Sequence, residues 1–216
     1  MKRRPGETCT RRFPSPPPLM AGLLALSLAV SAGCGSHPAY YRGDVASVPF
    51  GSRVAVLPLV NLSKEVNAPD VVMNALVVEL LAVNRFDVVD PGLVDEVIRR
   101  ERIRLTDRLP LEMLQALGTA LAVDYVFVGT VSEYQIVRDA QENIPTVSIA
   151  LRMVSCSTGN IVWAATHSKR GDDSESMFRL GRVDTLEELT TLTAREMTRT
   201  FMPETNNNQK RGQNTP

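Results

Sequence analysis

Aromatic residues are scarce in this chain of 216, at 5% with one tryptophan, and histidine and cysteine are scarcer, at two and three. Each shortage removes a class of chemistry. Zinc needs three or four ligands from cysteine, histidine and carboxylate, and His37, His167, Cys9, Cys34 and Cys156 are too scattered to supply them by spacing. No Gly-x-x-x-x-Gly-Lys-Ser/Thr or Gly-x-Gly-x-x-Gly run stands between a strand and a helix pattern, so the loops that cradle phosphates are missing. Ser155-Cys156-Ser157 lacks the Gly-x-Ser-x-Gly elbow of hydrolases. The carboxylates Asp172 and Asp173 lie among Lys169, Arg170, Gly171 and Ser174 without apolar cover, which reads as a solvated loop. These absences point away from an enzyme and from any cofactor or metal.

An excess of either charge is missing too, since 24 Lys+Arg balance 24 Asp+Glu. The balance is uneven along the chain. Residues 1–33 hold Lys2, Arg3, Arg4, Arg11 and Arg12 against Glu7, which leaves the remainder mildly acidic. Such a body lacks the concentration of Lys and Arg that a phosphate backbone requires, so no nucleic acid is expected as a partner.

Long hydrophobic runs are limited to residues 20–33, and this stretch is shorter than the roughly 20 residues of a membrane-spanning helix. Basic residues before it and small ones after it fit a secretory signal peptide. Ser31-Ala32-Gly33-Cys34 resembles the lipobox of bacterial lipoproteins, with Ser31 where leucine is commonest. The resemblance implies cleavage before Cys34, lipidation of Cys34, and, with Gly35 following, sorting to the outer membrane with the domain facing the periplasm. Cleavage elsewhere, leaving Cys34 a free thiol, is the alternative. With Cys34 lipidated and Cys9 removed, Cys156 has no partner for a disulfide and reads as a small core residue.

Composition divides the chain into a signal peptide (1–33), a lipidated tether (34–50), a folded domain (51–203) and a disordered tail (204–216) without an apolar residue. Within the domain, short β-branched runs at 53–59 and 86–89 alternate with helical patterns that begin near Asn67, at Asp90-Pro91 and near Pro110. Three longer strands follow at 125–137, 146–156 and 161–169, the last two joined by the turn Ser157-Thr158-Gly159-Asn160. A final helix spans 185–201, where Asp184 and Thr185 each precede a glutamate by three residues in the capping-box manner. The expected architecture is α/β (α+β), a mixed sheet of about five strands with helices packed on it. Trp163 is expected in the core, and His167, which shares its strand parity, is expected to be packed or surface-exposed. Arg99, Arg100, Arg102, Arg104 and Arg108 form either a patch for an acidic partner or a basic helix end that complements the macrodipole.

In order along the chain, Val54-Ala55-Val56-Leu57-Pro58-Leu59, Arg85-Phe86-Asp87-Val88-Val89-Asp90, and Asp124-Tyr125-Val126-Phe127-Val128-Gly129-Thr130 resemble the CsgG family of periplasmic lipoprotein domains. The run from Ala150-Leu151-Arg152 through Ser157-Thr158-Gly159-Asn160-Ile161 to Ser168-Lys169 extends the resemblance. Relatives include the curli secretion pore, flagellar outer-membrane lipoproteins and LpoB-like activators of peptidoglycan synthases. The resemblance implies a lipid-anchored non-enzyme that acts through protein contacts in the cell envelope, as a scaffold or activator of secretion, flagellar or peptidoglycan assembly. Residues 138–145 and 170–183 stand where the curli pore carries its long membrane hairpins, and neither segment is long enough for two membrane strands. Two other readings stand beside the activator: a ring-forming, homo-oligomeric secretion component of the curli type, and a periplasmic small-ligand-binding domain.

Overall fold

The computed structural model describes residues 36–43, 47–103, 109–139, 142–175 and 181–201. Among these lie seven strands and four helices, in the order β1 (Ala39–Arg42), β2 (Ser52–Val56), β3 (Val60–Asn61), α1 (Ala68–Val83), β4 (Phe86–Val88), α2 (Pro91–Arg100), α3 (Leu111–Leu121), β5 (Tyr125–Asp139), β6 (Glu142–Ser155), β7 (Ile161–Arg170) and α4 (Leu186–Arg199). All seven strands join one mixed sheet in the order β1-β7-β6-β5-β2-β4, with β3 pairing β5 off this path. The parallel contacts are those of β2 with β4 and β5 and of β3 with β5. The α/β architecture is the expected one, but five strands is two too few.

Both strands missed by the sequence pattern are short and are held by distant residues. β1 lies within the segment read as a tether, and it pairs antiparallel with β7 from Ala39 opposite Thr166 to Arg42 opposite Trp163. Arg42 also donates from Nε to the carbonyl of Thr200, and the Ser36 hydroxyl donates to the Asp173 carboxylate at 2.8 Å. Val48 is buried at 3% exposure. The described part of 34–50 is therefore bound to the domain and is not free spacer. β3 is a two-residue continuation of the first run after Leu57-Pro58-Leu59, too short for any period to show.

Each face of the sheet is covered by one pair of helices. Alternate residues of β2 and β5 divide between them: Val54, Val56 and Phe127 pack with α1 and α4, while Ala55, Val126 and Val128 pack with α2 and α3. Local chemistry sets the helix boundaries. The Asp90 carboxylate accepts from the Gly92 amide at 2.8 Å with Pro91 at the first position, and the Thr185 hydroxyl accepts from the Glu188 amide at 3.3 Å. Asn67 occupies the expected cap of α1, but its side chain makes no capping bond there. Close approach matters at one point: a Cβ on Gly118 of α3 would sit 2.7 Å from the Cβ of Cys156, so glycine is what lets this helix settle on the end of β6.

Candidate functional site

Of the residues singled out from sequence, Cys34, Arg104 and Arg108 lie outside the described residues. Arg99, Arg100 and Arg102 are exposed around the end of α2. Arg99 donates to the Asp95 carbonyl of its own helix, and Arg100 pairs with Glu101 at 3.2 Å. Asp95, Glu96 and Glu101 are interleaved with these arginines at the end of α2.

The two ends of the sheet differ. At one end, where β1 begins and the β5–β6 hairpin turns, charged side chains are interlocked. Asp173 accepts from Ser36 and from the Arg170 amide, while Arg170 Nε reaches Asp172 at 3.0 Å. The hydrogen bond from Arg170 holds the Asp172 carboxyl below its ordinary range against a smaller opposing effect of burial. The aspartate pair read as a solvated loop is thus an ordered turn. Arg182 binds Glu142 at 2.6 Å, Asp184 at 2.8 Å and Glu175 at 3.2 Å, closing the same end. In the segment 138–145, read as standing where the curli pore carries a membrane hairpin, the described residues pair between β5 and β6, with Arg138 opposite Asn143 and Asp139 opposite Glu142.

Under α4, His167 is buried at 2% exposure, and its Nε2 meets Glu196 at 2.6 Å; the buried Lys169 ammonium donates to the same carboxylate at 2.8 Å. Burial raises the Glu196 carboxyl, but the bonds from Lys169 and His167 outweigh it and bring the group below its usual value. Arg195, one residue earlier, pairs with the buried Glu79 of α1 at 3.0 Å. These groups are matched to one another and fasten α4 to the sheet and to α1. Nothing in their geometry leaves a base or nucleophile free.

At the opposite end, where β2 and β5 begin, two cavities of about 710 and 530 Å³ share Tyr125 and Ser155 along their walls. Phe50 and Tyr41 stand at their rims, 76% and 57% exposed. Cys156 lies in the first cavity; burial, with a smaller contribution from Asp124, pushes its thiol up to about 11, so it is protonated and not a nucleophile. Composition within the polar segment 36–52 gave no sign of this cleft beyond its unusual share of aromatic residues: Tyr40, Tyr41 and Phe50.

A further surface lies on α1. Its sequence is apolar almost all round, and while Val72, Leu76 and Leu80 are buried, Val78 and Leu81 on the outer side are 60% and 54% exposed, with Asn74 and Ala82 beside them. A helix of this composition normally has cover on every side. Among the described residues no helix is long and apolar enough to cross a membrane, and no group of three or more His, Cys, Asp or Glu is placed to hold a metal.

The model of the family described as peptidoglycan-synthase activator LpoB matches residues 44–168. No curated protein sequence matches the chain. Among solved structures, the fold is similar to the PelC dodecamer from Paraburkholderia phytofirmans, with a TM-score of 0.51 and 15% identity over 77% of this chain and 96% of that one. It also matches lipoprotein GNA1162 from Neisseria meningitidis (TM-score 0.47, 22% identity, 55% of this chain and 82% of that one). The LpoB C-terminal domain from Escherichia coli gives a TM-score of 0.43 at 14% identity, over 57% and 85%.

Proposed function

The chain belongs to the family of the peptidoglycan-synthase activator LpoB, and we propose that it is itself an activator of a cell-envelope synthase, working by protein contact and without chemistry of its own. The observation that carries this reading is the outer face of α1, where Val78 and Leu81 are exposed on a helix whose inner side is fully packed. Apolar side chains set in a polar surface are the usual centre of a protein contact.

In this reading the protein is an outer-membrane lipoprotein with lipid on Cys34 and its domain in the periplasm. The chain itself then sets the domain's position. One residue separates Cys34 from Ser36, whose hydroxyl is bonded to Asp173. Two Cα–Cα steps reach about 7–8 Å at most, so the domain sits close against the membrane instead of standing off on a tether. The end with the interlocked charges is the membrane-proximal one, and the cleft of Tyr41 and Phe50 faces the periplasm. The CsgG resemblance enters at the level of this shared periplasmic design. The shortness of the segment 138–145 speaks against a curli-type barrel.

The test is a photo-crosslinking residue at position 78 in intact envelopes, resolved by mass spectrometry. A peptidoglycan synthase as the dominant adduct, lost when Leu81→Glu is added, is the expected result. A ladder of self-multiples would overturn it in favour of a ring of copies.

A further inference from the structure

We propose that the paired cavities at the periplasm-facing end form a binding groove for a neutral glycan chain. The inference rests on the envelope reading above and extends it from a protein contact to a polymer contact. Its starting point is the shape of the groove. Two cavities, of about 710 and 530 Å³, run side by side and share Tyr125 and Ser155, so the depression is elongated and suits a linear polymer better than a compact metabolite.

The lining then decides the chemistry. No lysine, arginine or histidine lines either cavity among the described residues, and the one acidic side chain is Asp124, already accepting from the Arg53 amide at 3.3 Å. An anionic ligand such as a phosphate or a carboxylate would find no counter-charge. What the walls offer instead is hydroxyl and amide groups, among them Thr119, Ser155, Ser157, Thr158 and Asn160. The Ser155 and Ser157 hydroxyls lie 3.0 Å apart, so each can turn from donor to acceptor when a ligand hydroxyl arrives.

Aromatic rings supply the other half. Phe50 and Tyr41 are strongly exposed at the two rims, with Tyr125 on the wall common to both cavities. A pyranose ring presents C–H groups on its faces and hydroxyls around its edge, so it is matched by a flat ring below and by small polar side chains at the sides. In a chain with 5% aromatic residues, three at one groove are a local concentration. A peptide fits less well. The two cavities lie across the strand ends, and the backbone along β2, β5, β6 and β7 is already paired on both sides, which leaves no edge there for strand addition.

The test uses the mature full-length chain in a detergent without a sugar headgroup, titrated calorimetrically with three probes. These are N-acetylglucosamine tetramer, cellotetraose and a peptidoglycan stem peptide. Binding of at least one oligosaccharide, weakened tenfold or more by combined Tyr41→Ala and Phe50→Ala, is the expected result. Preference for the N-acetylated probe would identify cell-wall glycan as the source, and preference for cellotetraose an exported polysaccharide. Binding to neither sugar, sugar binding unchanged in the double variant, or binding of the stem peptide alone would overturn the proposal. Both substituted side chains are exposed, and the circular dichroism of the double variant confirms that a loss is local. If position 78 still crosslinks to a synthase while no sugar binds, the groove alone has failed; sugar binding with no synthase adduct would instead sink the activator reading.

Discussion

The two faces of the sheet are built on different principles. The face under α1 and α4 carries four rings in mutual contact: Phe127 lies 6.0, 6.1 and 5.7 Å from Phe86, Trp163 and Phe201, centroid to centroid and edge-on, and Trp163 and Phe201 are 4.2 Å apart and tilted. It also carries directional bonds, with Trp163 Nε1 donating to Thr200 at 2.9 Å, Glu196 receiving His167 and Lys169, and Glu79 holding Arg195. The face under α2 and α3 is aliphatic, with Ala55, Leu57, Val126 and Val128 against Val94, Val97, Leu114 and Leu117. Burying apolar area stabilises both, but area is non-directional; the first face adds buried side-chain bonds that fix where its helices stand, whereas α3 on the second is tied by an exposed bond from Gln115 Nε2 to the Ser157 carbonyl at 3.2 Å. That difference would suit the proposed contact surface on α1, because a docking helix must keep its place when a partner presses on it.

The sharpest way to break the contrast is to remove Phe127, which with Phe201 is one of two rings that touch the other three. Phe127 is fully buried, and Phe127→Ala is expected to cost about 3–5 kcal/mol by lost transfer and an unfilled cavity. Urea unfolding followed by far-ultraviolet circular dichroism measures it. A loss no larger than about 1 kcal/mol would mean that the rings are not the centre of this face.

Second in size is the charge clamp. Glu196→Gln leaves the buried Lys169 ammonium with a neutral partner, and breaking a buried pair in this way costs about 3 kcal/mol. The sign with pH follows from the lowered folded value of Glu196. Because the carboxylate form is favoured on folding, its contribution is fully present above the unfolded value of about 4.3 and is lost as pH falls through the lower folded value. The wild type should therefore lose stability with acid below about pH 4.5, and the Gln variant should lose less across the same window. Parallel acid slopes for the two proteins, read from urea midpoints, would remove Glu196 from the clamp.

Much of the fold was legible in the sequence, whereas the contrast between its faces was not. Period and caps located all four helices, and the alternation in 146–156 located β6, because both signals are local. Trp163 and Cys156 proved to be core residues, as expected. What escaped was everything set by distant residues. β1 forms only because β7 offers an edge and Thr200 and Asp173 offer acceptors, none of which is encoded in Ala39-Tyr40-Tyr41-Arg42 itself. His167 and Lys169 were visible as residues, yet their acceptor is Glu196, on a helix about 30 positions later. The cleft was hidden for the same reason, since its rims come from residues 41 and 50 and its shared wall from 125 and 155.

The smallest expected effect tests the aliphatic face through its tightest contact. Gly118 belongs to α3, where alanine is otherwise the better helix former by about 1 kcal/mol. A methyl group there would approach the Cys156 Cβ to 2.7 Å and the Val123 carbonyl oxygen to 3.2 Å. Neither is the far end of a flexible chain, so α3 as a whole has to move, and overpacking of this kind costs about 1–3 kcal/mol. Offset by the helix propensity gained, Gly118→Ala is expected to lose about 1–2 kcal/mol in urea. The shift should stay on its own side: α3 moves outward, while the Trp163–Thr200 bond on the opposite face, read from the indole N–H resonance, keeps its position. A variant that lost no stability would show that the aliphatic face gives way easily, and one that also displaced the indole signal would show that the two faces are not independent.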